Sequence, residues 1–251
     1  MLAVRAADQI HRTEGGWFSA RWHFSFDDYH DPEQMGFGPL RVFNDDRLVP
    51  GAVWPLHPHR DIEGITWVVE GTFEHEDSLG NGGTLLPGSL QRATLGSGMY
   101  HSERNGSKTE PMRFLQFWIL PDTAGLPPSV DQKTFPAGDR TDRLLRVAGP
   151  SADDPVKIHQ DASVHVGLLS ARAEVRIRLG RDAARTSTGS AAGEHSTTRR
   201  RARVRRLVHG PRRRSASPRR SRPRSSWSTS RSNGRRWVYG PAASEALASA
   251  T

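Results

Sequence analysis

In "HPHRDIEG", residues 57–64, two histidines stand one residue apart near the start of an apolar, β-rich run. In a strand, residues i and i+2 point to the same face, about 6.6 Å apart along the chain. His57 and His59 therefore project together if this stretch is extended, and Pro58 favours an extended backbone at His57. A second pair at the same spacing is His101 and Glu103 in "YHSERN". If the two segments lie on neighbouring strands, three imidazoles and one carboxylate meet. Three nitrogens and one oxygen suit one divalent first-row metal such as Fe, Ni, Cu, Mn, Co or Zn. An octahedral ion with four protein ligands keeps two positions for water or substrate. That is the arrangement of a reactive site, since a structural site closes its shell. A lone His-x-His is more often a chance pairing on a surface or in a core, and His-x-Glu is a weaker signal still. His75, after the central strand, and Glu63, four residues past His59, compete for the same role. The remaining histidines (His11, His23, His30, His159, His165, His195 and His209) read as structural or solvent residues.

These pairs need strands to carry them, and the chain supplies strand patterns. "WFSARWHFSFDDY" (17–29) roughly alternates aromatic with Ser or Arg. "LRVFNDDRLVPG" (40–51) reads as a short strand followed by an Asn-Asp turn. "GITWVVEGTFEHED" (64–77) is the clearest signal: Ile65, Trp67 and Val69 fall on one face, Thr66 and Val68 on the other. "SLGNGG" (78–83) is a tight turn by composition. "TLLPGSLQRATLGSGMYHSERN" (84–105) gives short strands broken by Pro-Gly and Gly-Ser-Gly. In "MRFLQFWILP" (112–121), Phe114, Gln116 and Trp118 alternate with Leu115, Phe117 and Ile119. Residues 122–142 are rich in Pro, Asp, Gly and Thr and read as a linker. Beyond it, "LLRVAGP", "VKIHQDASVHVGLLSA" and "AEVRIRLG" resume short strands up to about residue 180. Many short strands at turn-limited spacing predict an all-β sandwich or barrel, and the linker predicts two such units.

The 251 residues suffice to bury a sizeable core. There is no cysteine, which excludes disulfides, thiolate metal sites and cysteine catalysis, and fits a cytoplasmic protein. No secretory signal is expected at the N-terminus. No apolar run reaches the roughly 18 residues of a membrane-spanning helix. The net charge of +9 divides unevenly. Residues 1–180 hold 18 Lys and Arg against 24 Asp and Glu, whereas residues 181–251 hold 18 Arg, no Lys and 3 acids. The latter stretch has only five Leu, Ile, Val or Phe residues. That is too little apolar surface to offset chain entropy of roughly 1–2 kcal/mol per residue, so disorder is expected there.

The stretch from "FGPLRVFNDDRLVPG" through "GSGMYHSERN" closely resembles the pirin family of the cupin superfamily. The features that carry the resemblance are HPHRD, the Glu-Gly that ends the central strand, the DS-GN-G turn, Pro-Gly followed by Gln, and G-x-G-x-x-HSE. It covers about residues 1–180 and is strongest over 36–121. It implies a tandem cupin (bicupin): an N-terminal metal-binding cupin domain over 1–135, the start of a C-terminal cupin over 136–180, and an Arg/Ser/Pro-rich tail over 181–251. It further implies one metal in the N-terminal barrel, held by His57, His59, His101 and Glu103. The HSE pattern favours Glu103 over Glu63 as the carboxylate.

Bacterial relatives of this kind are associated with quercetin 2,3-dioxygenase activity. The resemblance thus implies a small phenolic or flavonol substrate and O2, with Glu103 as the general base for the flavonol 3-hydroxyl. Glu103 is then asked to be both ligand and base, and a bound carboxylate is the weaker base. Apolar residues such as Trp67, Phe73, Met99, Phe114 and Trp118 read mainly as barrel packing. Pirins of eukaryotes imply the alternative, a non-enzymatic metal-binding regulator of a transcription or signalling partner. The resemblance fades near "IRLGRDAA", and the residues after it have the composition of an out-of-frame reading of a GC-rich gene. A frameshift near residues 180–190 is the expectation, with a nucleic-acid-binding basic arm as the alternative.

Overall fold

The structure is a computed structural model that describes residues 5–171 and 173–175, together with the backbone of 228–232 and 235–239. The main body is built from β1 (His11–Glu14), β2 (Phe18–Trp22), β3 (Leu40–Leu48), β4 (Val53–His59), β5 (Glu63–Glu70), β6 (Phe73–Asp77), β7 (Gly82–Leu85), β8 (Ser89–Thr94), β9 (Met99–Asn105), β10 (Met112–Ile119) and β11 (Ser129–Thr134). One turn of helix, α1 (Ala137–Arg140), and the short pair β12 (Leu145–Ala148) and β13 (Val164–Val166) come next in the chain. Two antiparallel sheets face each other. The larger has the order β1-β2-β3-β10-β5-β8-β11 and the smaller β4-β9-β6-β7. The all-β sandwich is as the strand patterns require.

Alternation along β5 and β10 explains how one sheet serves two cores. Val68 and Phe114 point between the sheets, where they pack with Leu48, Phe73, Leu85 and Met112. Trp118 points the same way and packs with Val42, Ile62, Leu95 and Met99. Ile65, Trp67 and Ile119 point outward, yet they too are buried, because Val147, Ala148, Val156 and Ile158 of the C-terminal segment cover them. Burying each such side chain stabilises the fold by about 1.5–3 kcal/mol.

The turns obey local chemistry. Gly71 links β5 to β6 at φ +79°, and a Cβ there would lie 2.5 Å from the Pro111 carbonyl oxygen. In the "DSLGN" turn, Asp77 Oδ1 accepts from the backbone N–H of Leu79 (2.8 Å) and of Asn81 (2.9 Å).

Three expectations are corrected. Asn44 and Asp45 form no turn, since β3 runs unbroken through them. Their polarity is absorbed by tertiary partners: Arg113 donates Nε and Nη2 to the two oxygens of Asp45, each at 2.7 Å, and Asn44 and Asp46 turn into the interior. Residues 122–142 are not all linker, because β11 adds to the edge of the large sheet with Val130 opposite Ala93. Its sequence, SVDQKT, carries no apolar alternation, so only backbone pairing reveals it. In the basic stretch, Ser228–Ser232 and Arg235–Tyr239 pair as antiparallel strands where no strand was expected. The intervening sequence is Asn233-Gly234, a strong hairpin signal that bulk composition conceals. Residues 173–175 of the strand expected over 173–180 are described and form no strand, while the rest of it, the frameshift region and most of the basic stretch lie outside the described residues. Among the described residues, no helix is long and apolar enough to cross a membrane.

Candidate metal centre

The two histidine segments are neighbouring strands. β4 pairs antiparallel with β9, placing His57 opposite His101 and His59 opposite Met99. Between Trp54, which opposes Glu103, and His57, which opposes His101, β4 carries one residue more than β9. This is a bulge, and Pro55 sits in it; proline has no N–H to give to a ladder. The Pro55 carbonyl accepts a 2.7 Å hydrogen bond from His57 Nδ1. That bond fixes the tautomer: Nδ1 carries the proton and Nε2 presents a lone pair.

One ligand atom from each of His57, His59 and His101 lies within 4.8 Å of the others. The ring centroids are 4.7 Å apart for His57 and His59, 4.5 Å for His57 and His101, and 5.2 Å for His59 and His101. Burial pushes the His59 imidazole down to about 3, with His57 adding to the effect. Burial pushes His101 down to about 2, helped by His57 and His59. His57 is also lowered by burial, against the Pro55 hydrogen bond. Neutral imidazoles are the form a metal requires. His101 Nε2 is buried with no hydrogen-bond partner. An orphaned acceptor among two further imidazoles is what a cation would satisfy, so the residues present fit a divalent transition metal.

Glu103 lies beside this cluster, outside the set of three. Its Oε1 is 3.9 Å from His101 Nδ1 and accepts a 2.9 Å hydrogen bond from Gln116 Nε2. Burial pushes its carboxyl up to about 7, against the lowering effect of that hydrogen bond. The competitors are committed elsewhere. His75 Nε2 donates to Gln132 Oε1 at 3.0 Å. Glu63, fully buried, accepts from Thr94 Oγ1 (2.8 Å), His159 Nδ1 (2.7 Å) and the His159 backbone N–H (2.8 Å). It ties β5 to the C-terminal segment.

Of the apolar side chains named from the sequence, Trp118 meets the cluster: its ring is 4.6 Å from that of His59. Phe26 stands edge-on to Trp118 at 5.3 Å, and Trp22 edge-on to Phe26 at 5.1 Å, which extends an aromatic wall inward. Met99 packs with Trp118, Phe73 and Phe114 belong to the neighbouring core, and Trp67 lies on the outer face. Sequence reasoning missed Gln116, although its alternation with Phe114 and Trp118 put one polar side chain on an apolar face. It also missed Asn44 and Asp46, whose Oδ1 atoms are buried without partners. Burial, and then Glu103, push the Asp46 carboxyl well up.

Facing antiparallel sheets with a histidine cluster between them define a cupin-type barrel. A family model described as Pirin matches residues 3–119. The quercetin 2,3-dioxygenase of Escherichia coli K12 is 40% identical over 167 residues, which is 66% of this chain and 71% of that protein. A pirin-like protein of Caulobacter vibrioides is 39% identical over 184 residues, 72% of this chain and 79% of that one. The crystal structure of the bacterial pirin YhhW from Escherichia coli in complex with nickel(II) superposes with a TM-score of 0.60 at 39% identity, over 64% of this chain and 69% of that one. The chain belongs to the pirin family.

Proposed function

We propose that this pirin is a metal-dependent dioxygenase that opens the central ring of a flavonol such as quercetin with O2. The observation that carries the reading is the convergence of His57, His59 and His101 beside the buried carboxyl of Glu103. The three histidines would hold the ion, iron or another of Ni, Cu, Mn, Co and Zn, with Glu103 as the fourth donor when its carboxylate swings in. When bound, the ion supplies Lewis-acid and one-electron chemistry toward flavonol and O2. The names of the dioxygenase relative and of the nickel complex support this assignment.

The chain's own residues do the rest. Glu103 accepts the proton of the flavonol 3-hydroxyl at a carboxylate oxygen, which resolves its double duty: it serves as base while off the ion. Trp118, against His59, offers an aromatic face to the flavonol rings. Partly buried Phe26 and, behind it, buried Trp22 keep water from that side. The bonds on either side of flavonol carbon 3 break, carbon 3 leaves as carbon monoxide, and both atoms of O2 remain in the depside. A cytoplasmic location belongs to the same proposal.

The test is an oxygen-electrode assay of metal-loaded protein with quercetin, with carbon monoxide measured in parallel. Uptake of O2 with equimolar carbon monoxide is expected. Binding of quercetin without turnover on any of the six metals overturns the enzyme and points to the regulatory partner role.

A further inference from the structure

Resting on His57, His59 and His101 as metal ligands, we propose that Gln116 is the positioning residue for Glu103, reaching across the barrel to set where its carboxylate stands relative to the ion. Glu103 is buried, and its side chain is only 5% exposed. Among the described residues its one ion-pair neighbour is His101 Nδ1, 3.9 Å away. Its sole hydrogen-bond donor there is Gln116 Nε2, at 2.9 Å. His75 lies opposite Glu103 in the β6–β9 register, but its Nε2 serves Gln132.

The donor comes from the other sheet. Glu103 is on β9 of the small sheet and Gln116 on β10 of the large one, so the bond spans the interior. The Gln116 backbone is fixed from both sides, paired with Asn44 of β3 and Thr66 of β5. Its neighbours on the interior face, Phe114 and Trp118, are packed at 1% and 9% exposure. The tether is therefore anchored on a central strand, paired on both sides. It engages Oε1, the oxygen 3.9 Å from His101 Nδ1, and leaves Oε2 as the oxygen for ion or substrate. Without it, the buried carboxyl loses its one hydrogen-bond donor among the described residues.

The test uses the full chain loaded with Co(II), read by visible absorption and by competition with a chelator. Gln116→Met keeps the volume and removes the donor. In the parent, Gln116→Met should weaken Co(II) binding about tenfold and change the ligand-field bands. In a Glu103→Ala background the same substitution should change affinity by less than about twofold, because the residue it positions is gone. Gln116→Asn keeps the amide but stops one methylene short, and carries the same expectation should Gln116→Met fail to fold. An unchanged affinity and spectrum in the parent background, or an equal loss in both backgrounds, overturns the positioning role and leaves the histidine site standing. Failure of the parent itself to bind Co(II) removes the site and the positioning role together.

Discussion

His57 and His101 face each other across the β4–β9 ladder with ring centroids 4.5 Å apart, and the bulge at Pro55 sets that pairing. The geometry gathers three lone pairs from residues far apart in sequence. Losing one of three nitrogens should cost on the order of 3 kcal/mol, or about 100-fold in affinity. His101→Ala should therefore purify with far less than one ion per chain by elemental analysis. Stoichiometric metal in that variant would contradict the site.

Glu103→Ala separates ligand from base. The three imidazoles remain, so one ion per chain should still bind at saturating metal. Turnover of quercetin should fall by about 10²–10⁴, the usual worth of a positioned base. Parent-like turnover would remove Glu103 from the chemistry.

Protonation of the metal-free protein has a defined sign. His59 and His101 fall from 6.5 to about 3 and about 2 on folding, so the unfolded chain binds more protons below pH 6.5. Their neutral burial favours the fold above that pH and opposes it as pH falls. Glu103 rises from 4.5 to about 7 and acts in reverse, contributing stability below pH 4.5 that is lost through pH 7. Lowered His57 and His23 side with His59 and His101, whereas raised Asp46 sides with Glu103. The histidines prevail, so the metal-free melting temperature should drop between pH 6.5 and pH 4.5. A rise over that interval in a thermal melt would refute the balance.

His159→Ala should strip Glu63 of its 2.7 Å partner and leave a buried carboxylate underpaired. Thr94 Oγ1 and the backbone N–H of residue 159 still serve Glu63, so the cost is that of one hydrogen bond to a charged group, about 1.5–3 kcal/mol. Urea denaturation should show a loss of that order, and limited proteolysis should cut between residues 136 and 171 sooner than in the parent.

Spacing and alternation carried much of this into view. The i, i+2 pairs told which side chains share a face, and the two faces of β5 and β10 emerged as read. What spacing alone does not reveal is the partner across space. Gln116 looked like a blemish in an apolar strand until β9 was folded against it. Asn44 and Asp45 have turn chemistry in isolation, and Arg113, 68 residues past Asp45, overrides it. The bulge at Pro55 depends on the register of β4 against β9, which no local pattern encodes. Glu63 and His159 lie 96 positions apart, so their pairing left no periodic trace.

The outward face of the large sheet is sealed by residues that come long after the histidines, with Val147, Ala148, Val156 and Ile158 lying over Ile65, Trp67 and Ile119. A truncation at residue 135 would therefore strip the lid from an oily surface while sparing His57, His59, His101 and Glu103, and the fragment should clump. A version of this chain that keeps that face covered must run at least through His159.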